Sequence, residues 1–181
     1  MEPIGHEVLV NSIRAATSEV FSIMLNLEIT SGEAYCEPPS SEPTDGVVAL
    51  IGLAGLWVGT GIVQCGTDLA CQVYAHLLAV DCATAPNGVD GEVLDAMAEL
   101  ANMIVGNVKN TLEEHLGPMG MSIPTVVFGR NFMTRGGATD PWTIVPFTCL
   151  DSPLLVKICL TPSPEPTGGR RGSPIQRGFS L

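Results

Sequence analysis

Basic residues are scarce in this 181-residue chain: 8 Lys and Arg face 19 Asp and Glu, a formal charge of −11. An acidic surface repels nucleic-acid phosphates and anionic membrane surfaces, which argues against DNA, RNA or membrane as partners. The deficit is uneven. Residues 161–181 hold Arg170, Arg171 and Arg177 against Glu165 alone, which leaves 5 basic and 18 acidic residues in the first 160. A protein partner with a basic rim suits such a body. Aromatics make up only 5%, so Val, Leu, Ile, Ala and Met must build the core, which favours helices packed tightly on a sheet.

Other absences narrow the chemistry. The six cysteines, at 36, 65, 71, 82, 149 and 159, form no Cys-x-x-Cys. The N-terminus MEPIGHEVLV is acidic and has no signal-peptide core, and no N-glycosylation triplet occurs. Reduced core cysteines in a cytoplasmic protein are therefore expected. No apolar run looks long enough to span a membrane. No Gly-Lys-Ser/Thr ending, Gly-x-Gly-x-x-Gly or Gly-x-Ser-x-Gly is found, so the glycines from 52 to 61 read as hairpin glycines. His76 and His115 have no cysteine at metal-ligand spacing, and no metal site is expected. No local pattern supports a Cys nucleophile paired with His.

What is present reads as an α+β domain over residues 1–160 followed by a disordered Pro/Gly/Arg tail over 161–181. Leu9, Ile13, Ala16, Val20 and Met24 recur at helical spacing, predicting a helix over 6–26, with a strand at Leu27–Thr30. The Ser/Glu/Pro-rich stretch 31–45 reads as an exposed loop or a long hairpin connection. The run GVVALIGLAGLWVGTGIVQC predicts two strands with Gly52 and Gly55 in or near the turn. Thr67 offers an N-cap for a helix to about Val80. A longer helix is predicted from about Val89 to His115, ended by Gly117 and Pro118. Strands follow at Pro124–Phe128, Trp142–Leu150 and Pro153–Leu160, with a turn-rich connection over 131–141.

The long helix carries the functional signal. At about 100° per residue, Leu94, Met97, Ala101, Ile104, Val108 and Leu112 share one face, which must lie on the sheet. Asp95, Glu99, Asn102, Gly106 and Glu113 fall on the opposite, wet face, with Lys109 at its margin. Glu99 and Asn102 are an i, i+3 pair and project side by side. Spacing alone is also what a merely solubilising Glu and Asn would show. Gly106, one turn on, costs about 1 kcal/mol against alanine in an exposed helix. Either a partner backbone approaches there, or the glycine is harmless.

The pattern Asp95-x-x-x-Glu99-x-x-Asn102, followed by Pro124, resembles the motif of the CheC/CheX/FliY chemotaxis phosphatases, and the run ELANMIVGNVK is similar to their motif helix. The glycine-marked hairpin and the helix near Thr67 match the family's order, so the resemblance covers roughly residues 1–160. Its single Glu-x-x-Asn points to the CheX branch. The resemblance implies a mostly antiparallel sheet with two long helices on one face, and a homodimer formed through the sheets. It implies hydrolysis of the aspartyl phosphate on a CheY-like receiver domain, with Glu99 and Asn102 as the catalytic pair. Asp95 and Gly106 are the candidate partner contacts, with Asp95 either adding to docking or only solvating the helix. No cofactor is expected on this chain; Mg2+ would sit on the phosphorylated receiver. The alternative is a non-catalytic module of the same fold that binds a receiver or a flagellar switch component.

Overall fold

The computed structural model describes residues 5–38, 43–81, 86, 88–133 and 141–163. Its centre is the hairpin of β3 (Thr44–Gly55) and β4 (Trp57–Cys65), paired antiparallel from Val47↔Cys65 to Leu53↔Gly59. Alternation along β3 sends Val47, Ala49, Ile51 and Leu53 into the helix-covered core, while Val48 and Leu50 take the other face. β8 (Ser152–Pro162) pairs with β4, and β7 (Trp142–Cys149) pairs with β8. Leu150 and Asp151 join β7 to β8, both with positive φ (48° and 58°). Two left-handed residues are what a tight two-residue hairpin needs to match strand twist.

Short strands finish both edges. β1 (Thr30–Ser31) and β2 (Tyr35–Glu37) pair with β7, while β5 (Met119–Met121) and β6 (Thr125–Phe132) pair with β3. The resulting sheet has eight strands in the order β1-β7-β8-β4-β3-β5, every pairing antiparallel. Among the described residues three α-helices pack on the sheet: α1 (His6–Val20), α2 (Thr67–Leu77) and α3 (Gly91–Leu116). The antiparallel sheet with helices is the α+β architecture expected; α1 and α3 are the long pair, and α2 is a shorter third.

Several boundaries move. α1 runs on into a π-helical turn, Phe21–Leu25, closed by left-handed Asn26. The extra residue in that turn rotates the apolar face by one position. Leu25 is therefore buried, and Met24, placed in the core by its spacing, is 48% exposed. The stretch His6–Leu25 is long and apolar enough, by composition, to cross a membrane, contrary to the expectation of no such run; half of it is buried inside the molecule, as in a core helix. The strand at Leu27–Thr30 shrinks to Thr30–Ser31, and the 31–45 stretch contains β2. Gly52 lies inside β3, paired with Thr60, rather than in the turn. Gly66, not Thr67, is the N-cap of α2. Thr161 and Pro162 extend β8, so the predicted tail starts too early; residues 164–181 lie outside the described residues. The 131–141 connection is shortened by Asn131 and Phe132, which belong to β6, and 134–140 also lie outside them.

One close approach sets how α3 lies. A Cβ on Gly61 would come within 2.8 and 2.9 Å of the two Val105 methyls. Only a bare backbone on β4 lets the helix sit this near the sheet.

Candidate functional site

The helix that carries the candidate residues is fixed at both ends. Asp90 is its N-cap and accepts a hydrogen bond from the Val93 N–H at 3.0 Å, a cap worth about 1 kcal/mol. Gly117, with φ +79°, ends it. Glu92 in the first turn accepts a 2.6 Å hydrogen bond from the Tyr74 hydroxyl of α2; this bond, with burial and the neighbouring carboxylates, pushes the Tyr74 phenol up.

The buried face is broader than a single stripe. Met97, Ala101, Ile104, Val108 and Leu112 are fully buried, as projected, and Val93, Ala96, Leu100 and Val105 join them. Leu94 is only partly buried against that core. The reason is that α3 is central: it packs on β3 and β4 beneath and on α1 and α2.

The outer stripe is not open along its whole length. Asp95 and Glu99 are exposed, whereas Asn102, Gly106, Lys109 and Glu113 are half-buried. β5 returns alongside α3 and covers that margin. The position of a Cβ on Gly106 lies 3.7 Å from Met121 Cε and 3.9 Å from its Sδ, ordinary contact distances. Glu113, placed on the wet face by its spacing, is tied instead into the fold. It pairs with Lys109 at 2.8 Å and accepts the Met119 N–H at 2.8 Å. The Lys109 hydrogen bond, then the Met119 N–H, hold its carboxyl below the usual carboxylate range.

Glu99 and Asn102 are different. Neither has a hydrogen-bond or ion-pair partner among the described residues. The helix thus uses Asp90, Glu92 and Glu113 structurally, and leaves an acceptor carboxylate and an amide with both donor and acceptor capacity side by side.

Other chemistry is sparse. Among the described residues no group of three or more His, Cys, Asp and Glu could hold a metal ion. His76 Nδ1 lies 3.0 Å from the Leu25 carbonyl oxygen, a structural contact. Cys65 and Cys149 are buried as expected, and burial, with Cys71 nearby, pushes the Cys65 thiol up to about 12. Cys36, expected in the core, is exposed on β2, because that strand sits at the sheet edge. Its Sγ lies 3.4 Å from His6 Nδ1, and Thr143 Oγ1 lies 3.4 Å from the same nitrogen. No local pattern signalled this pair, since 30 residues separate its members. β8 and β4 separate β7 from β3 in the sheet, so the pair is remote from the β3–β5 edge beside Gly106. Cys82 lies outside the described residues.

Comparison with known proteins is consistent with this geometry. The model of the family described as chemotaxis phosphatase CheX matches residues 47–148. The CheX crystal structure from Vibrio vulnificus is 26% identical, with 84% of this chain and 99% of that one covered and a TM-score of 0.73. CheX from Desulfovibrio desulfuricans gives 23%, 84%, 99% and 0.74. The CheX of a CheX–CheY–BeF3–Mg2+ complex from Borrelia burgdorferi gives 24%, 84%, 97% and 0.66. The latter two likenesses speak for the fold alone. No curated protein matches the chain.

Proposed function

The chain belongs to the CheX family of chemotaxis phosphatases, and from that premise we propose that it hydrolyses the aspartyl phosphate of a CheY-like receiver domain, with Glu99 and Asn102 as the catalytic pair. One observation carries the reading: on a helix where Glu92 and Glu113 are engaged in the fold, Glu99 and Asn102 stand one turn apart, accessible and unpartnered among the described residues. The solved complex of a family member with CheY, BeF3 and Mg2+ supports the choice of partner.

The chemistry asks little of the protein. An acyl phosphate is reactive, and phosphoryl transfer passes through a loose transition state, so positioning and electrostatics supply most of the catalysis. The Asn102 side-chain amide orients a water in line with the phosphorus. The water oxygen bonds to phosphorus while the bond to the aspartyl oxygen breaks, releasing phosphate and a free carboxylate; the water's proton leaves with phosphate or solvent. Glu99 pairs with a lysine beside the receiver's phosphorylation site, a charge-assisted bond that sets the register. Mg2+ belongs to the receiver and neutralises phosphate charge there. Asp95, exposed one turn before Glu99, adds to docking, and Gly106 lets the partner come near.

The same reading includes a cytoplasmic homodimer formed through the sheet. Its support is the sheet's outer face, where Leu50, Ile62, Ile144 and Leu155 line a hollow of about 330 Å³ together with Glu37, Asp45, Gln64 and Lys157.

The test is phosphate release from a phosphorylated CheY-like receiver of the same organism, with Mg2+ present and the chain added. Faster release than from the receiver alone is expected. No acceleration across the organism's receivers would replace the phosphatase with the non-catalytic binding module.

A further inference from the structure

Ile123 is 86% exposed, the most exposed large apolar side chain among the described residues. Exposure alone means little, because single apolar residues on a surface are common. Three features set this one apart.

The first is rigidity. Ser122 clamps the chain just before it: the Ser122 N–H donates to the Gly52 carbonyl at 2.9 Å, and the Gly52 N–H donates to Ser122 Oγ at 2.9 Å. The Ser122 hydroxyl in turn donates to the Ile123 carbonyl at 2.8 Å. Pro124 follows, and a residue before proline is confined to extended backbone. Isoleucine is itself stiff at χ1. Little conformational freedom is left to lose when a partner covers this side chain.

The second is place. α3 and β5 run in opposite directions, fixed by two contacts. The Met119 N–H meets Glu113, and Met121 touches the Gly106 position. Ile123 lies two residues beyond Met121, and Asn102 lies one helical turn before Gly106, whose position Met121 borders.

The third is composition. The stripe beside it offers Asp95 and Glu99, exposed acids, and Asn102, all polar. Polar groups fix register and rate of encounter, while a few side chains buried at the centre of an interface carry most of its affinity.

We infer that Ile123 is the apolar anchor that seats the phosphorylated receiver beside Asn102, entering an apolar depression next to the acyl phosphate. This rests on the phosphatase reading for its partner but not on catalysis. Ile123 is a docking residue, and it touches no reacting atom.

The test measures two things on the full chain. Calorimetry follows binding of the organism's CheY-like receivers loaded with BeF3 and Mg2+, and a parallel assay follows phosphate release. Ile123→Ser is expected to weaken binding and raise KM about tenfold, with kcat within about twofold of wild type. Ile123→Val should restore most of the affinity, and neither variant should change the melting temperature, because the side chain is exposed. Wild-type affinity in Ile123→Ser would overturn the anchor while leaving the phosphatase intact. Binding by the wild type that depends on Ile123 without hydrolysis would keep the anchor and remove the phosphatase. A wild type that binds no loaded receiver overturns both.

Discussion

Gly106 and Glu113 stand two turns apart on one helix and separate what spacing reveals from what it hides. Gly106 has room for a methyl, the nearest atoms being Met121's at 3.7 and 3.9 Å. Gly106→Ala should therefore stabilise the chain by up to about 1 kcal/mol through helix propensity, read as a higher urea midpoint. If the partner approaches here, the same variant raises KM. Glu113 was legible as a polar helix position, but its bond to the Met119 N–H was not, because that partner comes after a chain reversal. Its carboxyl is held below the ordinary range by Lys109 and Met119, so the charged form is favoured in the folded state. That stabilisation is present above the unfolded carboxylate's range and is lost as pH falls through the lowered folded value. Melting curves between neutral pH and about pH 3 should show the wild type losing its advantage over Glu113→Gln on the acid side. Parallel curves would contradict the assignment.

At the scale of elements, the long amphipathic segments were legible and the short edge pieces were not. α3 announced itself by periodicity and a glycine stop, while its N-cap, Asp90, emerged only in the fold. β5 spans three residues, Met119–Met121, and has no alternation to read. The same brevity hid β2, and with it the exposure of Cys36. The π-helical turn was hidden for another reason: inserting one residue into the hydrogen-bond ladder moves Leu25 inward and Met24 outward without any change in the apolar pattern. The Gly61–Val105 contact is likewise a matter of how two elements meet. Gly61→Ala should cost about 1–3 kcal/mol, because the added methyl forces α3 off the sheet or Val105 out of its rotamer. A denaturant titration unchanged from wild type would show that the helix has slack at this crossing.

For the molecule as a whole, charge and the uncovered sheet face bear on the proposed dimer. The helices occupy one face, and Leu50 and Leu155 remain half-buried on the other. Leu155→Glu would place a charge at the centre of that face and should convert a dimer to a monomer by light scattering, with the fold retained. A wild type that scatters as a monomer at every concentration would remove the sheet-face dimer. The acidic body was readable from composition, and the motif Asp95-x-x-x-Glu99-x-x-Asn102 from spacing joined to family resemblance. The anchor at Ile123 was not readable, because exposure and rigidity arise from Ser122 meeting Gly52 across 70 residues.

The central claim is a division of labour on α3, and steady-state hydrolysis of a phosphorylated receiver by Asn102→Ala and Glu99→Ala tests it most directly. The account predicts that Asn102→Ala lowers kcat by about a hundredfold or more, with KM little changed, since a group that positions the attacking water acts in the transition state. Glu99→Ala should mainly raise KM. An Asn102→Ala variant that keeps wild-type kcat would contradict the account, because the water would then be held by something other than this amide.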